Sequence, residues 1–116
     1  MMNRARDPEA HPSGPIPPAI DDDGMLPLVC GYVDGLPSRV AAMKAALLDR
    51  EPARLIDLAH QTKGVGAMYG YPCLTETAAL IEDAAREGRD DDLIAELIDE
   101  FQALTARVGL GLRRRD

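Results

Sequence analysis

From Leu26 onward, apolar residues recur every three or four positions, and nowhere do they alternate with polar ones as a strand requires. Leu26 to Asp34 reads as a short first helix, interrupted near Gly35-Leu36-Pro37. Ser38 then opens a segment in which Val40, Met43 and Leu47 recur at helical spacing up to Leu48. Asp49-Arg50-Glu51-Pro52 is a break and restart, with Pro52 suited to a first helical position, where its missing N–H costs nothing. The third segment runs from Pro52 to about Tyr69. Gly70 tolerates the left-handed geometry of a helix end, and Pro72 cannot continue a helix. Leu74, Ala78, Ile81 and Ala85 mark a fourth helix ended by Gly88. Asp90 to Asp92 supply an N-cap and favourable charge for a fifth, lined on one side by Leu93, Ile94, Leu97, Phe101, Leu104 and Val108. The fold class predicted is all-α.

Composition narrows this picture. The chain has 116 residues, enough for one small domain. Five of its 9 prolines (Pro8, Pro12, Pro15, Pro17, Pro18) and the run Asp21-Asp22-Asp23 fall in residues 1–24, which are expected to form a disordered arm. Residues 110–116, with Arg113-Arg114-Arg115, are expected to be a basic, solvated tail. The duplicated start, Met1-Met2, looks native, as in a free-standing protein. There is no Trp and only 1 Phe and 3 Tyr, so the core must be built from Leu, Ile, Val, Ala and Met, which suits helix-on-helix packing. A net charge of -7 disfavours general nucleic-acid binding. The 2 cysteines, Cys30 and Cys73, form no CxxC and suggest reduced thiols in a cytoplasmic protein. No apolar run approaches membrane-spanning length. Between Glu76 and Glu100 acidic residues, Glu82 among them, greatly outnumber Arg86 and Arg89, as on a solvated face.

Chemistry concentrates on the third segment. At about 100° per residue, Val65, Leu58, Tyr69, Thr62 and Leu55 fall in a narrow arc opposite His60. His60 is therefore expected near the middle of the solvent face. Lys63, one turn on, brings an ammonium within reach of anything attached to the imidazole. Gly64 removes the side chain that would crowd the ring, although glycine inside a helix costs about 1 kcal/mol against alanine. Ala53, Ile56, Asp57 and Ala67 share that face, giving it the character of a docking surface. Gly66, on the flank of the buried arc, is expected to permit close helix packing. Asp57-x-x-His60 also has a spacing used in bundle metal centres, but these draw inward-facing ligands from several helices, and the only other histidine is His11.

The run Leu55-Ile56-Asp57-Leu58-Ala59-His60-Gln61-Thr62-Lys63-Gly64 resembles the signature of histidine-containing phosphotransfer (HPt) domains, and the likeness continues through Tyr69-Gly70 and the Leu74 to Gly88 helix. The resemblance implies an up-down-up-down four-helix bundle with a short additional N-terminal helix over residues 25–109. It implies that His60 accepts a phosphoryl group from a receiver-domain aspartate and passes it to another response regulator, with Lys63 stabilising phosphoryl charge and Gly64 giving access. Partners would be receiver domains and a hybrid histidine kinase. The chain would be a monomeric carrier and not an enzyme, with no ATP site or cofactor of its own, magnesium residing on the receiver. A docking module that leaves its histidine unused is the alternative. Val65 stands where the family often has Ser or Ala, and Thr62 where a larger aliphatic residue is usual; changed packing is the expected consequence.

Overall fold

A computed structural model describes residues 26–115; the side chains of Leu26 and of residues 112–115 are not described. The arm expected over residues 1–24 lies outside that range. Four helices follow in order: α1 (Leu26–Leu48), α2 (Pro52–Met68), α3 (Pro72–Arg86) and α4 (Asp91–Arg115). The described residues contain no strand. Links of three or four residues force antiparallel neighbours, and the helices close a ring in which α1 meets α2 and α4, and α3 meets α2 and α4.

The separate N-terminal helix is corrected: α1 is one helix of 23 residues with Pro37 inside it. An interior proline loses a hydrogen bond and crowds the preceding turn, at about 3 kcal/mol. Here Pro37 faces solvent, while Val29, Val33, Leu36, Val40, Met43 and Ala46 are buried in one unbroken helical register on both sides of it. Each fully buried aliphatic side chain contributes roughly 1.5–3 kcal/mol, so a stripe of this length outweighs the proline. Local propensity predicts a break; tertiary packing removes it.

Three helix ends share one closure. The Tyr71 amide donates to the Gly66 carbonyl at 3.0 Å and the Gly70 amide to Ala67 at 3.4 Å, with Gly70 at φ 79. Gly88 ends α3 in the same way at φ 67. The end of α1 does so without a glycine: Arg50 takes φ 55 while the Glu51 amide bonds the Ala46 carbonyl at 2.9 Å. Pro52 opens α2 as the sequence led one to expect, and Pro72, read there only as a stop, is the first residue of α3.

On α4 the core positions are Ile94, Ile98, Phe101 and Val108, with Leu97 and Leu104 only partly covered. Ile98 thus joins the stripe read from sequence. The helix continues through residues 110–115, so Arg113-Arg114-Arg115 lie on its last turns.

Candidate functional site

Small residues bring α2 and α3 together, and their closeness builds the site. On α2 the buried residues are Leu55, Ala59, Thr62 and Gly66, with Leu58, Val65 and Tyr69 only half-buried. By the same projection the buried arc is centred about 50° from the one drawn through the large apolar side chains. Ala59 and Gly66 carry little hydrophobic weight in a sequence pattern, yet they permit the closest approach. A Cβ on Gly66 would stand 3.0 Å from Thr75 Oγ1 and 3.3 Å from the Tyr32 hydroxyl, so any side chain there would crowd both hydroxyls and push them aside. The rotation moves His60 off the centre of the solvent face toward α3.

His60 remains 62% exposed, and its Nδ1 lies 3.2 Å from Glu82 Oε2 on α3. Glu82 is the residue that the sequence reading missed. Counted there among a solvated acidic run, its side chain is only 5% exposed. Lys63 Nζ sits 2.8 Å from its Oε1, in an ionic contact not aligned as a hydrogen bond. Arg86 donates to Oε2 from its terminal nitrogen at 2.8 Å and from Nε at 3.2 Å. Lys63, then Arg86, hold the carboxyl down at about 2, against the rise that burial alone would bring. The carboxylate is near the surface and is shut off from water by the groups that bind it. Two signals pointed to it: Glu82 follows Ile81 and shares the register of Ala78 and Ala85, and it stands four residues before Arg86.

The tautomer of His60 follows from this contact. An ionised carboxylate can only accept, so the hydrogen bond at 3.2 Å requires a proton on Nδ1. In the neutral ring the lone pair is then on Nε2, and no described residue is bonded to that atom. A nitrogen nucleophile is thereby presented outward and held in one orientation by a carboxylate behind the ring.

The other predicted positions fall around it. A Cβ on Gly64 would meet nothing within 4 Å, so no packing within the chain calls for glycine there. Ala53, Asp57 and Ala67 are exposed and Ile56 is half-buried, its inner side packed on the core. Asp57 accepts from the Gln61 amide at 3.0 Å and takes no part in the Glu82 cluster. Among the described residues no three His, Cys, Asp or Glu side chains are grouped as a metal site, and no helix is long and apolar enough to cross a membrane.

Behind the site, Thr62 is fully buried; its hydroxyl donates to the Leu58 carbonyl at 2.8 Å and accepts from Arg39 at 3.3 Å. This buried position is therefore polar, and satisfied. Tyr71, left unexplained by the sequence beyond helix termination, is the largest fully buried side chain, and Tyr32 packs between it and Tyr69 with ring centroids 6.3 and 5.3 Å away. Burial pushes the Tyr32 hydroxyl up to about 12. The three rings fix the far end of α2 against the start of α3.

A family model, described as the Hpt domain, matches residues 28–109. No curated protein and no solved structure matches the chain. The matched region takes in all of α2 and α3 and nearly all of the bundle, including every residue of the His60 cluster. The chain belongs to the Hpt domain family, whose members carry phosphoryl groups on histidine in two-component phosphorelays.

Proposed function

We propose that His60 is the phosphoryl acceptor of this carrier, taking the group from an aspartyl phosphate on a receiver domain and returning it to the aspartate of another. The observation that carries the reading is the 3.2 Å contact between Glu82 and Nδ1 on an otherwise exposed ring. In the forward step the Nε2 lone pair attacks phosphorus in line. The Nε2–P bond forms as the P–O bond to the donor breaks, and that bonding pair stays on the donor carboxylate. Nδ1 keeps its proton, so the phosphorylated ring carries positive charge, which the Glu82 carboxylate stabilises. Reversal against a second aspartate restores the neutral ring. The divalent ion of the reaction belongs to the receiver.

The remaining residues serve access and docking. Open space beside Gly64 lets a receiver bring its aspartate up to the ring, and Ala53, Ile56, Asp57 and Ala67 form the surrounding contact face. A radiolabelled phospho-receiver is expected to label the chain with an acid-labile, alkali-stable phosphate that His60→Gln abolishes. Undiminished labelling of that variant would remove His60 from the role. A chain that binds receivers but takes no label from any of them would be a docking module.

A further inference from the structure

Two cations share one buried carboxylate beside His60, and they do not share it equally. Glu82 Oε1 is buried, and its one close partner among the described residues is Lys63 Nζ at 2.8 Å. Oε2 has two partners: His60 Nδ1 at 3.2 Å and the Arg86 guanidinium at 2.8 Å. Withdrawing Lys63 would leave Oε1 buried with no close partner, Arg86 and the ring meeting the carboxylate only at Oε2, which is the costly way to break an ion cluster. Withdrawing Arg86 leaves Oε2 still bonded to the ring. The Arg86 side chain is also the more exposed of the two, 56% against 34% for Lys63, and so the freer to turn outward.

Phosphorylation changes the charge balance at this point. Before it, one carboxylate faces two fixed cations. Afterwards a group carrying close to two negative charges stands on the far side of the ring. A guanidinium suits it, because its planar fork presents paired donors to phosphoryl oxygens. From the unequal sharing of Glu82 we infer that Arg86 is the cation that turns to the phosphoryl group of phosphorylated His60, while Lys63 stays on Glu82 and keeps the carboxylate in place behind the ring. This reverses the assignment suggested by the sequence motif, in which Lys63 offsets phosphoryl charge. It rests on His60 being the acceptor. Arg86 is then a phosphoryl-binding residue and Lys63 a positioning residue.

The test uses the full chain and phosphoramidate as a chemical donor, whose P–N bond breaks as the Nε2–P bond forms and ammonia leaves. Phosphorus NMR then follows the protonation of the phosphoryl group with pH in wild type, Arg86→Ala, Arg86→Lys and Lys63→Ala. Arg86→Ala is expected to raise the phosphoryl pKa by roughly one unit, the effect of losing an adjacent opposite charge. Arg86→Lys should restore most of that shift, and Lys63→Ala should move it less than Arg86→Ala. In the unphosphorylated chain the order reverses, with Lys63→Ala lowering the unfolding midpoint more than Arg86→Ala. A larger phosphoryl shift in Lys63→Ala than in Arg86→Ala overturns the assignment. Should a variant fail to fold, wild type decides by itself: on phosphorylation the Arg86 Nε–H resonance should move and the Lys63 Nζ resonance should not. The opposite pattern overturns the inference. Absence of phosphate from His60 in wild type would overturn the carrier reading on which the inference depends.

Discussion

The α1–α4 half and the α2–α3 half of the bundle are both pairs of packed helices, but they are held together by different means. Between α1 and α4 the buried residues are bulky: Leu36, Val40 and Met43 on one helix, Ile94, Ile98, Phe101 and Val108 on the other. On α2 and α3 many of the buried residues are small, with Ala59, Thr62 and Gly66 beside Leu55 on one helix and Thr77, Ala78, Ala84 and Ala85 beside Leu74 and Ile81 on the other. Large side chains supply most of the transfer free energy and keep the helices apart; small ones let backbones approach. Close approach is what allows a carboxylate on α3 to reach the ring of His60 on α2. The first half is a support and the second a frame for polar chemistry, and substitutions should separate the two roles.

The largest effect is expected on the supporting side. Phe101→Ala removes a fully buried ring and should cost about 3–5 kcal/mol in denaturant unfolding, while the residual folded protein keeps its phosphotransfer rate. Equal loss of both would mean that the two halves are not separable.

Next comes the ion cluster. Because the Glu82 carboxyl titrates at about 2 in the fold against an ordinary value of 4.5, its contribution is fully present above pH 4.5 and disappears as the pH falls toward 2. Glu82→Gln should therefore cost roughly 2 kcal/mol at neutral pH, allowing for the exposure of its partners, with the deficit fading in acid. A deficit independent of pH would assign Glu82 a packing role alone. The same variant should slow phosphotransfer, since a neutral amide can donate as well as accept, and so neither fixes the proton on Nδ1 nor offsets the charge of the phosphorylated ring.

The smallest contrast lies within α2, where one substitution should have opposite signs at glycines two residues apart. Gly66→Ala places a methyl 3.0 Å from Thr75 Oγ1 and should destabilise by about 1 kcal/mol or more. Gly64→Ala meets open space and should stabilise by roughly 0.5–1 kcal/mol while hindering a partner's approach. Thermal unfolding of the pair checks the signs. A gain at Gly66 would show that α2 and α3 can separate without cost.

The helical segments from Pro52 onward, the start at Pro52 and the glycine ends at Gly70 and Gly88 were legible in the sequence because each rests on local chemistry that tertiary contacts do not override. Pro37 was not legible in that way: its local meaning is a break, and only the unbroken burial of Leu36 and Val40 reveals a continuous helix. His60, Lys63 and Gly64 could be picked out from the spacing of one helix. Glu82 and Arg86 left only the register and spacing of α3, since their meaning depends on how far α2 turns toward α3; Gly66 was legible as a packing glycine, but with Ala59 it carries too little hydrophobic weight to fix that angle.

The central claim is that His60 presents Nε2 as the phosphoryl acceptor because Glu82 holds the proton on Nδ1. Its most direct test is nitrogen and phosphorus NMR of ring-labelled protein before and after phosphorylation by a receiver domain. An Nδ1–H tautomer is expected at rest, and a one-bond nitrogen–phosphorus coupling at Nε2 afterwards. Coupling at Nδ1, or phosphate on any other residue, would contradict it.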